Sequence, residues 1–112
     1  MPASYFVRYE GQAENADAFL AYYRNSHVPI LARFPGIRRI VLHTPVPYRD
    51  PYAVNPDRFC LLAQMVFDSP EDLERALCSD ARAQARADFA GFPPFHGAVY
   101  HQAVLSEEVW AK

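Results

Sequence analysis

A histidine lies among aromatic residues in the segment AYYRNSHVPIL, which spans residues 21–31. His27 falls on the apolar stripe of a predicted helix, four residues after Tyr23. Because an imidazole gains and loses a proton near neutral pH, His27 could act as a general acid or base on a bound molecule. A lone histidine on an apolar helix face is more often a hydrogen-bonded core residue. The sequence therefore leaves a catalytic and a structural role open for His27.

Pro29 favours a pocket at this position. Proline has no N–H to donate to the carbonyl of Asn25, so the helix is expected to kink or end there. Val28 precedes the proline and is expected to leave helical geometry. We therefore expect the helix to open at His27 and to leave room for a ligand beside the imidazole.

The remaining histidines do not form a metal site with His27. His43, His96 and His101 lie on predicted strands or strand ends, and no His-x-x-x-His, Glu-x-x-His or Cys-x-x-Cys spacing occurs. A zinc site needs three or four converging ligands. Serine-nucleophile and glycine-rich phosphate motifs are also missing from the sequence. The sequence predicts no metal and no cofactor.

Four strands and two helical regions are predicted to position these residues. The predicted strands are 4–11, 37–44, 59–67 and 94–105; one helix follows Asn15, another follows Ser69, and a further helical segment spans 80–91. Their order, β-α-β-β-α-β, is the split βαβ pattern. We expect an α+β, ferredoxin-like domain with a four-stranded antiparallel sheet and both helical regions on one face.

The composition narrows the possible partners of this single domain, predicted over residues 1–112. A net charge of −2 argues against nucleic acid, which is bound by basic surfaces. The sequence has no run of about 18 apolar residues to span a membrane and no pattern of a signal peptide. Cys60 and Cys78 are therefore predicted to be reduced thiols in a cytoplasmic protein.

The third predicted strand is apolar on both faces. Leu61, Met65 and Phe67 point to one side, while Leu62 and Val66 point to the other. Helices would cover only one side, and a large exposed apolar patch is rare on a soluble monomer. We expect a second copy of the sheet to cover the other side, which predicts a homodimer.

The segment 45–57 is predicted to be a loop because it contains four prolines. Loops of this length are often lids or binding segments, and Tyr48 and Tyr52 could reach a ligand or the partner subunit. An ordinary connection between two strands is an equally good interpretation.

Four further residues are predicted to bind substrate: Tyr23, Tyr100, Arg39 and His43. The two tyrosines would supply hydroxyls to the pocket. Arg38 and Arg39 face opposite ways on a strand, so only one of them could reach a carboxylate in a pocket; a solvated strand edge is the alternative.

The segment FLAYYRNSHVPILARFPG (19–36) resembles the signature of the EthD-like proteins in the dimeric α/β-barrel superfamily. The matching positions are Phe19, Tyr23, His27, Pro29, Pro35 and Gly36, and FDSPEDLERAL (67–77) resembles the family's passage from strand to helix. The resemblance implies two ferredoxin-like subunits whose sheets pack into one barrel. It also implies a ligand cleft between helices and sheet, with His27 at its edge. The similar methylmuconolactone methylisomerases use a helix histidine with a strand tyrosine, and this tyrosine position is Ile40 here.

These observations favour a cofactor-free enzyme in which His27 transfers a proton on a small apolar or aromatic oxygenated metabolite. A lactone, enol or quinone would suit rearrangement, cyclisation or elimination, the reactions of an isomerase or lyase. One alternative is a non-catalytic protein that binds a hydrophobic small molecule. Another is a haem-binding barrel with His27 as the axial ligand.

Overall fold

Strands and helices follow one another in the order β-α-β-β-α-β, as the sequence predicts for an α+β, ferredoxin-like domain. The computed structural model describes residues 1–112. The strands are β1 (Ala3–Ala13), β2 (Ile37–His43), β3 (Leu61–Phe67) and β4 (Phe95–Leu105). They form one antiparallel sheet in the order β2-β3-β1-β4. The predicted fold class is therefore confirmed.

The helices connect β1 to β2 and β3 to β4. They are α1 (Ala16–Tyr22), α2 (Val28–Leu31), α3 (Pro70–Leu77) and α4 (Asp80–Asp88), with a π-helical turn at Tyr23–His27 and a 3-10 turn at Phe89–Gly91. The side chain of Asn15 accepts a hydrogen bond from the Ala18 N–H, and Ser69 Oγ accepts one from the Asp72 N–H. These caps satisfy backbone donors that have no partner inside a helix. None of the helices is long and apolar enough to cross a membrane.

One face of the sheet packs against the helices and forms the core. On β3, Leu61, Ala63, Met65 and Phe67 are buried, and the residues between them are only half-buried. The buried residues of the helices and of the turn after α2 that meet this face are Phe19, Tyr23, Leu31, Phe34, Leu73, Ala76 and Ala85. The two-residue period of β3 thus separates a core side from a second side.

The second side of the sheet, here called the open face, carries apolar residues with no helix over them. Leu62 and Val66 of β3 lie there, next to Arg8 and Ser4 of β1 in the strand register. Phe6 is also on this face, with its ring 6.5 Å from that of His43. Apolar area of this kind is stabilised when another protein surface covers it.

The loop at 44–60 has no regular secondary structure, in agreement with its prolines. Its Asp57 pairs with Arg8 on the open face at 3.0 Å, so this part of the loop lies on the side of the sheet away from the helices. Tyr48 and Tyr52 are both exposed. The part of the loop around Asp57 would therefore contact a second subunit if one covered the open face.

We predict that replacing Leu62 with Asp at the open face will abolish dimerisation. A dimer built on this face should bury about 2,000 Å² or more, and a buried carboxylate without a partner would be strongly destabilising there. Light scattering should show a dimer for the wild type and a monomer or aggregate for Leu62→Asp. Val109→Asp, a matched change at a highly exposed position, should leave the dimer intact. A wild-type protein that stays monomeric at micromolar concentration would contradict the dimer.

Candidate active site

A cavity of about 360 Å³ lies between the core face of the sheet and the helices. Most of the residues around it are apolar, and its polar groups come from separate elements. Those groups are Tyr5 and Tyr9 of β1, Tyr23 and His27 of the π-helical turn, Arg82 and Arg86 of α4, and His101 of β4. This combination of apolar walls and a few convergent polar groups is typical of small-molecule sites.

His27 is paired with a carboxylate at the edge of this cavity. Its Nδ1 lies 2.9 Å from Oδ2 of Asp88, and the Tyr22 hydroxyl donates to Oδ1 of the same carboxylate at 2.8 Å. His27 is 6% exposed. Because an ionised carboxylate can only accept, Nδ1 carries the proton in this pair and Nε2 has the free lone pair. Asp88 thus fixes both the tautomer and the orientation of the imidazole.

The Nε2 atom of His27 is available to a ligand. Nδ1 makes the only side-chain hydrogen bond of this histidine, yet the structure has no enclosed polar side-chain atom without a partner. Nε2 is therefore accessible, and His27 lines the cavity. Burial lowers the pKa of His27 below its ordinary value of 6.5, although the hydrogen bond and the charge of Asp88 oppose this shift. At neutral pH the imidazole is uncharged and can accept a proton at Nε2.

Aromatic rings enclose the imidazole on several sides. The centroid of the Tyr23 ring lies 4.8 Å from that of His27, and the Phe92 ring meets it edge-on at 4.9 Å. Tyr9 lies next to Tyr23, with 5.8 Å between their centroids. Burial raises the pKa of both tyrosine hydroxyls above the ordinary 10.0, so both stay protonated at neutral pH. They can donate hydrogen bonds but cannot serve as bases.

The helix changes its hydrogen-bond register at His27 and does not end there. The Val28 N–H donates to the carbonyl of Tyr23, five residues back, and Val28 is helical with φ −55° and ψ −41°. Pro29 lies in the first turn of α2, where a missing N–H costs little. The expectations that the helix ends near Pro29 and that Val28 leaves helical geometry are therefore wrong. The π-helical turn accommodates the proline, and such turns occur frequently at functional sites.

The structure brings only Tyr23, among the four predicted substrate-binding residues, to the cavity of His27. Arg39 and His43 lie on the open face of β2, opposite Val66 and Leu62. His43 Nε2 is 3.0 Å from the side-chain oxygen of Gln64. These two side chains thus face away from the cavity because residues of one strand alternate between its two faces.

Tyr100 also lies on the open face. It is paired with Arg8 in the strand register, and the Arg8 guanidinium lies over its ring, 4.7 Å from the centroid. The neighbouring β4 residues Val99 and His101 face the cavity instead. The expected pocket hydroxyl of Tyr100 is therefore separated from His27 by the sheet.

Sequence reasoning missed Asp88, Tyr5, Arg82 and His101 as site residues. An aspartate at the end of a helical segment is by default a capping or surface residue. A signal for it does exist, because Ala81, Ala85 and Asp88 follow the helical period and share one face of α4. The chain holds no group of three or more His, Cys, Asp or Glu side chains placed to share a metal ion.

The fold and this cavity define a ferredoxin-like α+β protein with a site between its sheet and its helices. The EthD domain family matches residues 12–93, and the chain belongs to this family. No curated protein matches the chain in sequence.

Solved structures with the same fold include proteins from three bacteria. An ethyl tert-butyl ether D (EthD) family protein from Bacillus halodurans C-125 has a TM-score of 0.75 at 24% identity, covering 96% of this chain and 100% of that one. SnoaB, a cofactor-independent oxygenase from Streptomyces nogalater, here its N63A mutant, has a TM-score of 0.63 at 15% identity, with 99% and 98% coverage. A dimeric ferredoxin-like protein of unknown function from Thermobifida fusca YX has a TM-score of 0.62 at 7% identity, with 93% and 90% coverage. At these identities the similarities establish the fold.

We predict that the folded protein loses stability as the pH falls below about 6.5. The pKa of His27 is lowered in the folded state, as is that of His101, so the unfolded chain takes up protons first as the pH drops. The free energy of unfolding is therefore highest above pH 6.5 and decreases down to the folded-state pKa values. Urea titrations at several pH values should show this decrease, and His27→Asn should reduce it. A stability that rises on acidification through this range would contradict the buried, neutral imidazole.

Proposed function

We propose that this EthD-family protein is a cofactor-free enzyme in which His27 moves a proton on an apolar or aromatic oxygenated metabolite. The observation that carries the proposal is the His27–Asp88 pair, whose free Nε2 atom opens into an apolar cavity. A purely structural histidine would be expected to have both ring nitrogens bonded within the protein.

In the proposed reaction, Nε2 of His27 takes a proton from an acidic C–H group next to a carbonyl. The electron pair of the broken bond moves towards the carbonyl oxygen and forms an enolate. The imidazolium is stabilised by the Asp88 carboxylate, which the Tyr22 hydroxyl holds in place. Return of the proton to a different carbon completes an isomerisation. In a cyclisation the enolate carbon attacks an electrophilic carbonyl carbon of the same molecule, and the imidazolium gives its proton to the resulting alkoxide. In an elimination the enolate expels a leaving group from the β carbon, and the leaving group takes the proton from the imidazolium.

The walls of the cavity support an apolar substrate. Tyr9, Tyr23 and Phe89 give it aromatic surface on the side of His27, and Val7 and Met65 give it aliphatic surface on the side of the sheet. Enclosing a reaction in such surroundings strengthens the electrostatic interactions within it. The fold shared with a cofactor-independent oxygenase supports chemistry without a bound cofactor.

The same apolar cavity supports a second candidate, a non-catalytic protein that binds a hydrophobic small molecule. The two functions differ in what His27 does: an enzyme needs its proton transfer, whereas a carrier needs only its shape and hydrogen bonding. A haem-binding protein with His27 as axial ligand would be coloured when purified, so an absorption spectrum tests that alternative directly.

We further propose that the functional unit is a homodimer joined at the open face. The uncovered Leu62 and Val66 support this assembly, as does the fold shared with a dimeric ferredoxin-like protein. Neither Cys60 nor Cys78 is in a disulfide, which is compatible with the cytoplasmic location that we propose.

We predict that His27→Asn will fold normally, bind ligand and lose catalysis. Asparagine keeps some hydrogen bonding but cannot exchange a proton near neutral pH, so the rate should fall by about 10²–10⁴. A thermal-shift screen with aromatic lactones, phenols and quinones should first identify ligands, because a ligand at 100 times its Kd adds about 2.7 kcal/mol. Proton exchange of each hit in D₂O, followed by NMR, then reports the proton transfer. Asp88→Asn should also lower the rate, because an amide can donate to Nδ1 and shift the proton of His27 to Nε2, where it blocks the base.

His96→Asn is the matched control for this experiment. His96 is exposed, bonds to Glu14 and lies outside the cavity, so its replacement should change neither binding nor exchange. Full exchange activity in His27→Asn would contradict the catalytic role. Ligand binding without any exchange in the wild type would favour the carrier protein.

A further inference from the structure

Two arginines of α4 line the cavity without a carboxylate partner. The guanidinium of Arg82 donates to the Tyr5 hydroxyl at 3.3 Å and to the carbonyl of Leu77 at 3.4 Å. Arg86 lines the same cavity and has neither a hydrogen bond nor an ion pair with another side chain. The positive charge at this end of the cavity is therefore not neutralised within the protein.

Some other arginines of the chain have carboxylate partners, whereas others, such as Arg24, have none. Arg8, Arg38 and Arg75 each pair with a carboxylate at 2.7 Å. Arg82 is half-buried beside this apolar cavity, where a charge is costly when no anion compensates it. Arg86 is exposed to solvent but lines the same cavity one helical turn further along α4, so the two guanidinium groups together would favour a ligand that supplies an anion.

Hydrogen bonds hold this end of the cavity in a defined geometry. Because Arg82 donates to the Tyr5 oxygen, the Tyr5 proton is free to go to Nδ1 of His101, which lies 2.7 Å away. The Arg82 guanidinium also lies 5.6 Å from the centroid of the Tyr5 ring. The positive charge of Arg86 and Arg82 reaches His101, where it adds to burial in lowering the pKa of the imidazole. Arg82, Tyr5 and His101 thus form a cationic, hydrogen-bonded group that is in place before a ligand arrives.

This group and His27 lie at different positions along β1. Tyr5 contacts Arg82, whereas Tyr9 lies next to Tyr23, which packs against His27. Four residues of a strand span about 13 Å. Val7 lies between the two tyrosines and contributes an apolar wall. The cavity therefore has a cationic end at Tyr5 and Arg82 and a proton-transfer end at His27. Arg86 lies between them, with its charge acting on both His101 and Tyr9.

We propose that the cavity binds ring compounds that carry a carboxylate, with the carboxylate at Arg82 and Arg86 and the reacting atom at His27. The guanidinium fork matches the geometry of a carboxylate and can bind it through two parallel hydrogen bonds. This inference rests on the proposed function for the role of His27, and it adds the substrate class and the orientation of the substrate.

Calorimetry with two probes of equal shape tests the charge requirement. 2-Naphthoate and 2-naphthamide differ in the carboxylate, and the wild type should bind 2-naphthoate at least about 10-fold more tightly. Arg82→Gln and Arg86→Gln should each weaken 2-naphthoate about 10- to 100-fold, the usual range for losing a hydrogen bond to a charged group. Binding of 2-naphthamide should change little in either variant. If Arg82→Gln is unstable, the result for Arg86→Gln alone tests the inference, because the side chain of Arg86 makes no hydrogen bond within the protein.

Arg24→Gln is the matched control. Arg24 is exposed in the π-helical turn and lies outside the cavity, and its substitution removes the same charge. It should leave 2-naphthoate binding unchanged. Equal loss in Arg24→Gln, or equal affinity for the two probes, would overturn the inference. If neutral phenols such as 2-naphthol bind and 2-naphthoate does not, the carboxylate class is wrong while the proposed function stands. If none of the three compounds binds, both the carboxylate class and the proposed function are contradicted for ligands with two rings.

Discussion

The hydrogen bond between His27 and Asp88 connects the two halves of the fold at the cavity. Asp88 is the last residue of α4, where the negative end of the helix dipole disfavours a carboxylate. Donors from Tyr22 and His27 compensate this position, and hydrogen bonds to a charged group contribute about 1.5–3 kcal/mol each. The same contact sets the tautomer of His27. The hydrogen bond that orients the candidate catalytic residue therefore also joins α4 to the π-helical turn.

Much of the architecture could be predicted because its signals are local. The cap at Ser69, the proline after it and the two-residue period of β3 each act within a few residues of the chain. The order of the elements then restricted the topology to a ferredoxin-like sheet. The position of His27 on the inner stripe of its helix followed from the three- and four-residue spacing of apolar residues. The EthD signature agreed with all of these signals.

The rest of the site depends on contacts that no local pattern encodes. Asp88 reaches His27 across 61 positions of sequence, and the pairing depends on how α4 packs against α2. Tyr100, Arg39 and His43 were assigned to the wrong side because alternation shows which residues share a face but does not show which face meets the helices. The effect of Pro29 was misjudged for a similar reason: an isolated helix would break there, whereas a packed helix adopts the wider turn.

The side chains of β1 alternate between the two faces of the sheet, so the residues of the cavity and those of the proposed dimer contact are different and can be substituted independently. Tyr5, Val7 and Tyr9 belong to the cavity, whereas Phe6 and Arg8 belong to the open face. Point substitutions can therefore alter ligand preference without touching the subunit contact that we propose, and the reverse also holds. A deletion of one residue inside β1 has no such freedom, because it moves every side chain beyond it to the opposite face. Residues on either face of β1 can thus change one at a time, whereas the number of residues in the strand is constrained by both faces at once.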